Sequence, residues 1–91
     1  MSPEFEWDEA KRLANVAKHG IDFLDAAAIF ALPHLEVEAT LTGGESRHLA
    51  IGPLDGRLIT VVFTQRGGAI RLISARRSRR VERTRYQALF H

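Results

Sequence analysis

Cysteine is absent from this 91-residue chain, so neither a disulfide framework nor a thiolate metal site is open to it. No apolar run approaches the roughly 18 residues that a membrane-spanning helix needs. No signal-peptide pattern opens the chain either, so a cytoplasmic location is the expectation. The four histidines, His19, His34, His48 and His91, lack ligand spacing such as i, i+4, and no carboxylate pair shares a face with one of them. No metal and no cofactor is therefore assigned. Lysine is nearly missing too, for eleven of the thirteen basic residues are arginine.

Apolar residues make up 45% and charged residues 26%, the profile of a globular protein. The length allows one modest core, so residues 1–91 are read as a single domain. The net charge of +2 hides a sharp asymmetry. Residues 1–56 hold four Lys/Arg against ten Asp/Glu, whereas 57–91 hold nine Arg against one Glu. Arginine's planar fork grips phosphate with two hydrogen bonds and stays charged at any working pH. Such a bias suits a phosphate-binding surface. It also suits a solvated basic face or one paired with the acidic half.

Asp8 is placed to cap a first helix whose Ala10, Leu13, Ala14 and Ala17 form one stripe, opposite Lys11, Arg12, Asn15, Lys18 and His19. Gly20 should end it in the left-handed conformation. Asp22 should cap a second helix striped by Phe23, Ala26, Ala27 and Phe30 and closed by Pro33. The period then falls to two. "LEVEATL" from Leu35, "RHLAIG" from Arg47, "RLITVVFT" from Arg57 and "AIRLISAR" from Ala69 read as strands. Turns are expected at "TGGES", Asp55-Gly56 and "RGG". Hairpin-length connections imply antiparallel pairing. A last helix begins near Ser78, a plausible N-cap, and runs to about Leu89. The expected class is α+β: two N-terminal helices, a four-stranded antiparallel sheet and a C-terminal helix.

Seven arginines crowd the sixteen residues of "RLISARRSRRVERTRY", Arg71 to Tyr86. Antiparallel order should bring Arg57, Arg76 and Arg77 to one edge of the sheet, and Arg47 level with Arg66. Like charges so gathered repel and need an anion. Glu82 can pair with Arg79 at i, i+3 for only a few tenths of a kcal/mol, and one carboxylate cannot neutralise the group. "KHG", Lys18 to Gly20, offers an imidazole beside a lysine, although helix ends recruit such residues for the dipole alone. If the anion is RNA, cleavage without metal needs a base for the 2′-hydroxyl, cations for the phosphorane and an acid for the leaving oxygen. His19 or Glu82 would suffice as base, Arg57, Arg76 and Arg77 as clamps, and Lys18, His19 or Tyr86 as acid.

The stretches "FEWDEAKRLANVAKHGIDF", "ESRHLAIG", "GRLITVVFT" and "RLISARRSRRVERTRY", taken in order, resemble the BrnT family of type II toxins. Ser78 stands where the family's close often has a small residue such as alanine. The resemblance implies a RelE-like fold and a metal-independent ribonuclease that cuts cellular RNA and arrests growth. It also implies neutralisation by a cognate antitoxin, a DNA-binding dimer of BrnA-like, ribbon-helix-helix type, and a toxin homodimer within a heterotetrameric complex. Lys18 and His19 match "KHG", and Arg47, Arg57, Arg76, Glu82, Arg83 and Tyr86 match the remaining polar positions. On this basis Arg57 and Arg76 are expected on phosphate and His19 or Glu82 in proton transfer. Lys18, Arg47, Arg77, Arg79, Arg83 and Tyr86 are expected to contact RNA. The competing expectation is a non-catalytic module of the same fold that binds RNA or an acidic partner protein.

Overall fold

The computed structural model of the chain describes residues 4–42 and 45–90. The elements run β1 (Glu4–Glu6), α1 (Glu9–His19), α2 (Phe23–Ala26), a 3₁₀ helix (Ala27–Ala31), β2 (Leu35–Thr42), β3 (Glu45–Leu54), β4 (Arg57–Arg66), β5 (Ala69–Arg77) and α3 (Arg80–Phe90). The expected four-stranded antiparallel sheet needs correction. The sheet has five strands in the order β1-β5-β4-β3-β2, and β1 runs parallel to β5, pairing Phe5 with Ile70 and Glu6 with Arg71. A three-residue "EFE" is too short to show alternation, and its partner lies beyond any hairpin connection. The other three pairings are antiparallel.

The turns are made by residues suited to positive φ. Asp55 at φ 51° and Gly56 at 79° join β3 to β4, matching the two-residue hairpin signal. Gly67, at φ 61°, lies between β4 and β5. The Gly43-Gly44 pair of the turn expected between β2 and β3 lies outside the described residues.

The second helix also differs from expectation. After one α-turn capped by Asp22, whose side chain accepts from the Leu24 N–H at 2.9 Å, the chain tightens to 3₁₀. The buried set becomes Phe23, Ala26 and Ile29, spaced by three, rather than a 3.6-residue stripe. These three residues pack on Ala50, Ile59, Val61, Phe63, Leu72 and Ala75 of the sheet to form the core. Packing here is close: a Cβ built on Gly52 would lie 3.1 Å from the Ile29 Cβ.

Both ends of α1 behave as expected. The Asp8 carboxylate accepts from the Lys11 N–H at 3.1 Å, and Gly20 at φ 70° donates its N–H to the Val16 carbonyl. Its facing, however, is inverted. Leu13 and Val16 are exposed, and Asn15 is the buried residue of the helix. β1 covers only residues 69–71 of β5, so the strand's backbone edge continues unpaired beyond them. Asn15 fills that place. Its Nδ2 donates to the Ala75 carbonyl at 2.8 Å, its Oδ1 accepts from the Ala75 N–H at 3.1 Å, and Nδ2 also reaches the Ile21 carbonyl. One carboxamide thus satisfies backbone groups whose burial without partners would be costly.

The helices α1, α2 and 3₁₀ lie at one face of the sheet. Pleat parity assigns the other, outer face Leu35 and Val37 of β2, Leu49 and Ile51 of β3, Thr60, Val62 and Thr64 of β4, and Arg71, Ser74 and Arg76 of β5. The helix α3 lies against this face, beside β3, and it buries none of its own residues fully. No helix among the described residues is long and apolar enough to cross a membrane.

Candidate nucleic-acid interface

The arginine-rich passage from β5 into α3 is organised around one carboxylate. Arg76 donates from Nη1 and Nη2 to the two oxygens of Glu82, each at 2.8 Å. Glu82 Oε1 also accepts from the Thr60 hydroxyl at 2.9 Å and from the Arg79 N–H at 2.7 Å. Thr60 is fully buried, and its hydroxyl lies 2.8 Å from that of Ser78. These groups are brought together by register, because Thr60 on β4 faces Arg76 on β5. The sequence places Glu82 at the third position of α3, from where it reaches back to the N–H before the helix, as in half of a capping box.

Ser78 therefore does not cap α3 as expected; its N–H bonds the Leu58 carbonyl and its hydroxyl meets Thr60. Arg79 occupies the cap position, and Arg83 donates to the Ser78 carbonyl at 2.6 Å. The pairing of Glu82 with the Arg79 side chain is replaced by the pairing with Arg76.

This network has an electrostatic signature. The Arg76 hydrogen bonds, helped by those from Arg79 and Thr60, hold the Glu82 carboxyl at about 2, against the opposing effect of burial. Glu82 correspondingly raises the Arg76 guanidinium. A carboxylate so saturated and so acidic remains ionised near neutrality and has little basicity to offer. Arg76 gains a fixed direction on the outer face.

The remaining expected residues fall into separate groups. Arg57 shares the parity of Ile59, and Arg77 pairs with Ile59, so both belong to the helix-side face while Arg76 belongs to the outer one. The three reach one end of the sheet, as expected, but do not share a face. Lys18 and His19 line a cleft of about 260 Å³ with Lys11, Asn15, Ile73 and Ser74, where α1 meets β5. Ser74 is two residues from Arg76 on the same face of β5, about 7 Å along the strand. Arg47 is half-buried on β3, at the opposite end of the outer face. Tyr86 stacks on Phe90 at a centroid distance of 4.8 Å. Arg79, Arg80 and Arg85 border a groove between α3 and the aliphatic floor of Val37, Leu49 and Ile51. Among the described residues no three His, Asp or Glu side chains gather as a metal site would.

Sequence reasoning missed Thr60, Ser74 and Asn15. Thr60 and Thr64 are the polar positions of "RLITVVFT" and share one parity, a signal that this strand's second face meets polar partners. Asn15 is one of the residues in the "W-D…K…N…KHG" opening that carries the family resemblance, but nothing in that pattern says that it bonds the edge of a strand.

A basic α+β domain with an arginine braced on the outer sheet face has the charge and fork geometry that phosphate recognition uses. Residues 7–82 match the family described as ribonuclease toxin, BrnT, of type II toxin-antitoxin system. Among solved structures, the Brucella abortus ribonuclease toxin BrnT is similar to this chain, with a TM-score of 0.72 and 34% identity over 87% of this chain and 100% of that one. No match was found among curated proteins. The chain belongs to the BrnT family of ribonuclease toxins of type II toxin-antitoxin systems. Arg83 and Tyr86 lie beyond the matched span.

Proposed function

We propose that this chain is a metal-independent endoribonuclease that cuts cellular RNA by internal transesterification and so arrests growth. The observation that carries this reading is Arg76, held by both oxygens of Glu82 and presented on the outer face of the sheet. The 2′-oxygen of a ribose attacks the adjacent phosphorus, the bond from phosphorus to the 5′-oxygen breaks, and a cyclic phosphate and a 5′-hydroxyl result. Arg76 offsets the extra negative charge of the phosphorane, and its prepaid orientation makes that contribution larger than a mobile side chain's. Glu82 positions Arg76 and leaves proton transfer to His19.

His19 suits that task by its surroundings. It is half-buried, makes no hydrogen bond with described residues, and shares its cleft with Lys11 and Lys18. His19 takes the 2′-hydroxyl proton, and Lys18 or a returning His19 supplies the proton to the leaving oxygen. Arg57 and Arg77, on the other face, hold flanking strand, as do Arg79 and Arg83. In the cytoplasm, a cognate ribbon-helix-helix antitoxin covers the basic surface and pairs two toxins in a heterotetramer.

The test is incubation of the antitoxin-free chain with labelled RNA in EDTA, beside Arg76→Ala and His19→Ala variants. Cleavage that survives EDTA and falls at least about 100-fold in either variant is expected. RNA that is bound in a salt-sensitive way but stays whole would favour the non-catalytic module instead.

A further inference from the structure

A second guanidinium on the outer face is not accounted for by the Arg76 network. The Arg47 Nε is buried without a hydrogen-bond partner, the one such side-chain atom found among the described residues. A buried guanidinium N–H without an acceptor is costly, and the residue as a whole is only half-buried, which leaves the rest of the fork open to an anion. The nearby carboxylates give that Nε no hydrogen bond: Glu45 attracts Arg47 and Arg71 through space but accepts from Arg66 at 2.9 Å, and Glu6 accepts from Arg71 at 3.4 Å. Register shows what surrounds Arg47. His48 faces Phe63 and Thr64 faces Arg71, so Arg47, Thr64 and Arg71 form a row across β3, β4 and β5. Ile51, Thr60 and Arg76 form another row, four residues away along β4 or about 13 Å. Between the rows lie Leu49, Val62 and Ser74, which carry no charge.

We propose that Arg47, with Arg71 beside it, is a second phosphate subsite that holds the RNA backbone a few nucleotides from the phosphate at Arg76. The inference rests on the ribonuclease reading and adds a direction to it: the strand crosses the outer face along β4. Two arginine-bearing rows separated by an uncharged floor complement a backbone whose charges recur with neutral segments between them, although Arg76 and Arg71 each also meet a carboxylate. A single buried anion would need only one row.

The test uses fluorescein-labelled 2′-O-methyl oligouridine, which cannot be cleaved, as a dimer and as a decamer, with anisotropy as the readout. Arg47→Gln is expected to weaken decamer binding about tenfold and to reduce the salt slope by about 0.7. Dimer affinity should be unchanged. Arg47→Lys keeps the charge without the fork and should recover only part of the loss. The Arg47→Gln melting midpoint without RNA should stay close to the wild-type value, because removing the unpaired Nε offsets the lost attraction to Glu45. A lowered midpoint would mark Arg47 as structural and overturn the proposal. Equal decamer binding by wild type and Arg47→Gln, or an equal loss for dimer and decamer, would overturn it while leaving the ribonuclease reading in place. If the wild-type chain bound neither oligomer, the ribonuclease reading would fail and the subsite with it.

Discussion

Replacing Glu82 by glutamine separates bracing from proton transfer. The folded carboxyl sits at about 2 against an ordinary 4.5. At about 1.4 kcal/mol per unit the linkage ceiling is near 3 kcal/mol. The side chain is 12% exposed beside an exposed helix, so screening brings the expected contribution to about 1–2 kcal/mol. Because the folded value is depressed, this stabilisation is present in full above the unfolded value and is lost as pH falls from about 5 toward 2. Glu82→Gln should therefore lower the melting midpoint by about 5–15 °C at pH 7 and by much less near pH 2.5. Thermal melts of both proteins across that range measure it. Cleavage should fall in Glu82→Gln, and the Arg76→Ala, Glu82→Gln double variant should be hardly worse than Arg76→Ala alone. A stability gap independent of pH would refute the linkage argument. Additive losses of activity would refute the positioning role and return Glu82 to a role of its own.

Other perturbations test other joints. Asn15→Ala strips the partners from the Ala75 N–H and C=O and from the Ile21 carbonyl. It should cost about 2–4 kcal/mol in urea unfolding at pH 7. Gly52→Ala drives a methyl against Ile29 and His34, and a loss of about 1–3 kcal/mol is expected in the same assay. Gly20→Ala meets no atom within 4 Å but must keep φ 70°, so its cost should be only about 1 kcal/mol. His19→Ala should leave the midpoint and the affinity for uncleavable RNA unchanged while cleavage fails.

What could be read from the sequence followed from local chemistry. Caps at Asp8, Gly20 and Asp22 and the turn at Asp55-Gly56 depend on a few adjacent residues, and each element they bound is present. β1 was invisible because its stability comes from Ile70 and Arg71, sixty-five residues away, and not from its own three residues. The facing of α1 was hidden for a related reason. Its apolar stripe obeys the helical period, but the open edge of β5 demands a paired donor and acceptor, and Asn15 alone among its neighbours supplies both. Satisfying buried backbone outweighed covering Leu13 and Val16, which remain exposed.

The same alternation governs the site. Adjacent arginines on a strand cannot serve one ligand from one face, so Arg76 and Arg77 were bound to part company whatever their shared charge suggested. Arg76 falls on the face that Thr60 makes polar, where Glu82 arrives from α3 to hold it. Arg77 falls on the parity of Ile59, and no carboxylate among the described residues forms an ion pair with it. If the outer face is the cutting face, Arg77→Gln should alter RNA affinity modestly and leave the cleavage rate at saturating RNA unchanged, whereas Arg76→Gln should lower that rate. Single-turnover kinetics at saturating RNA distinguish the two. Equal loss of rate from both variants would place the scissile phosphate around the sheet's end rather than on its outer face, and would remove the face assignment on which the site has been built.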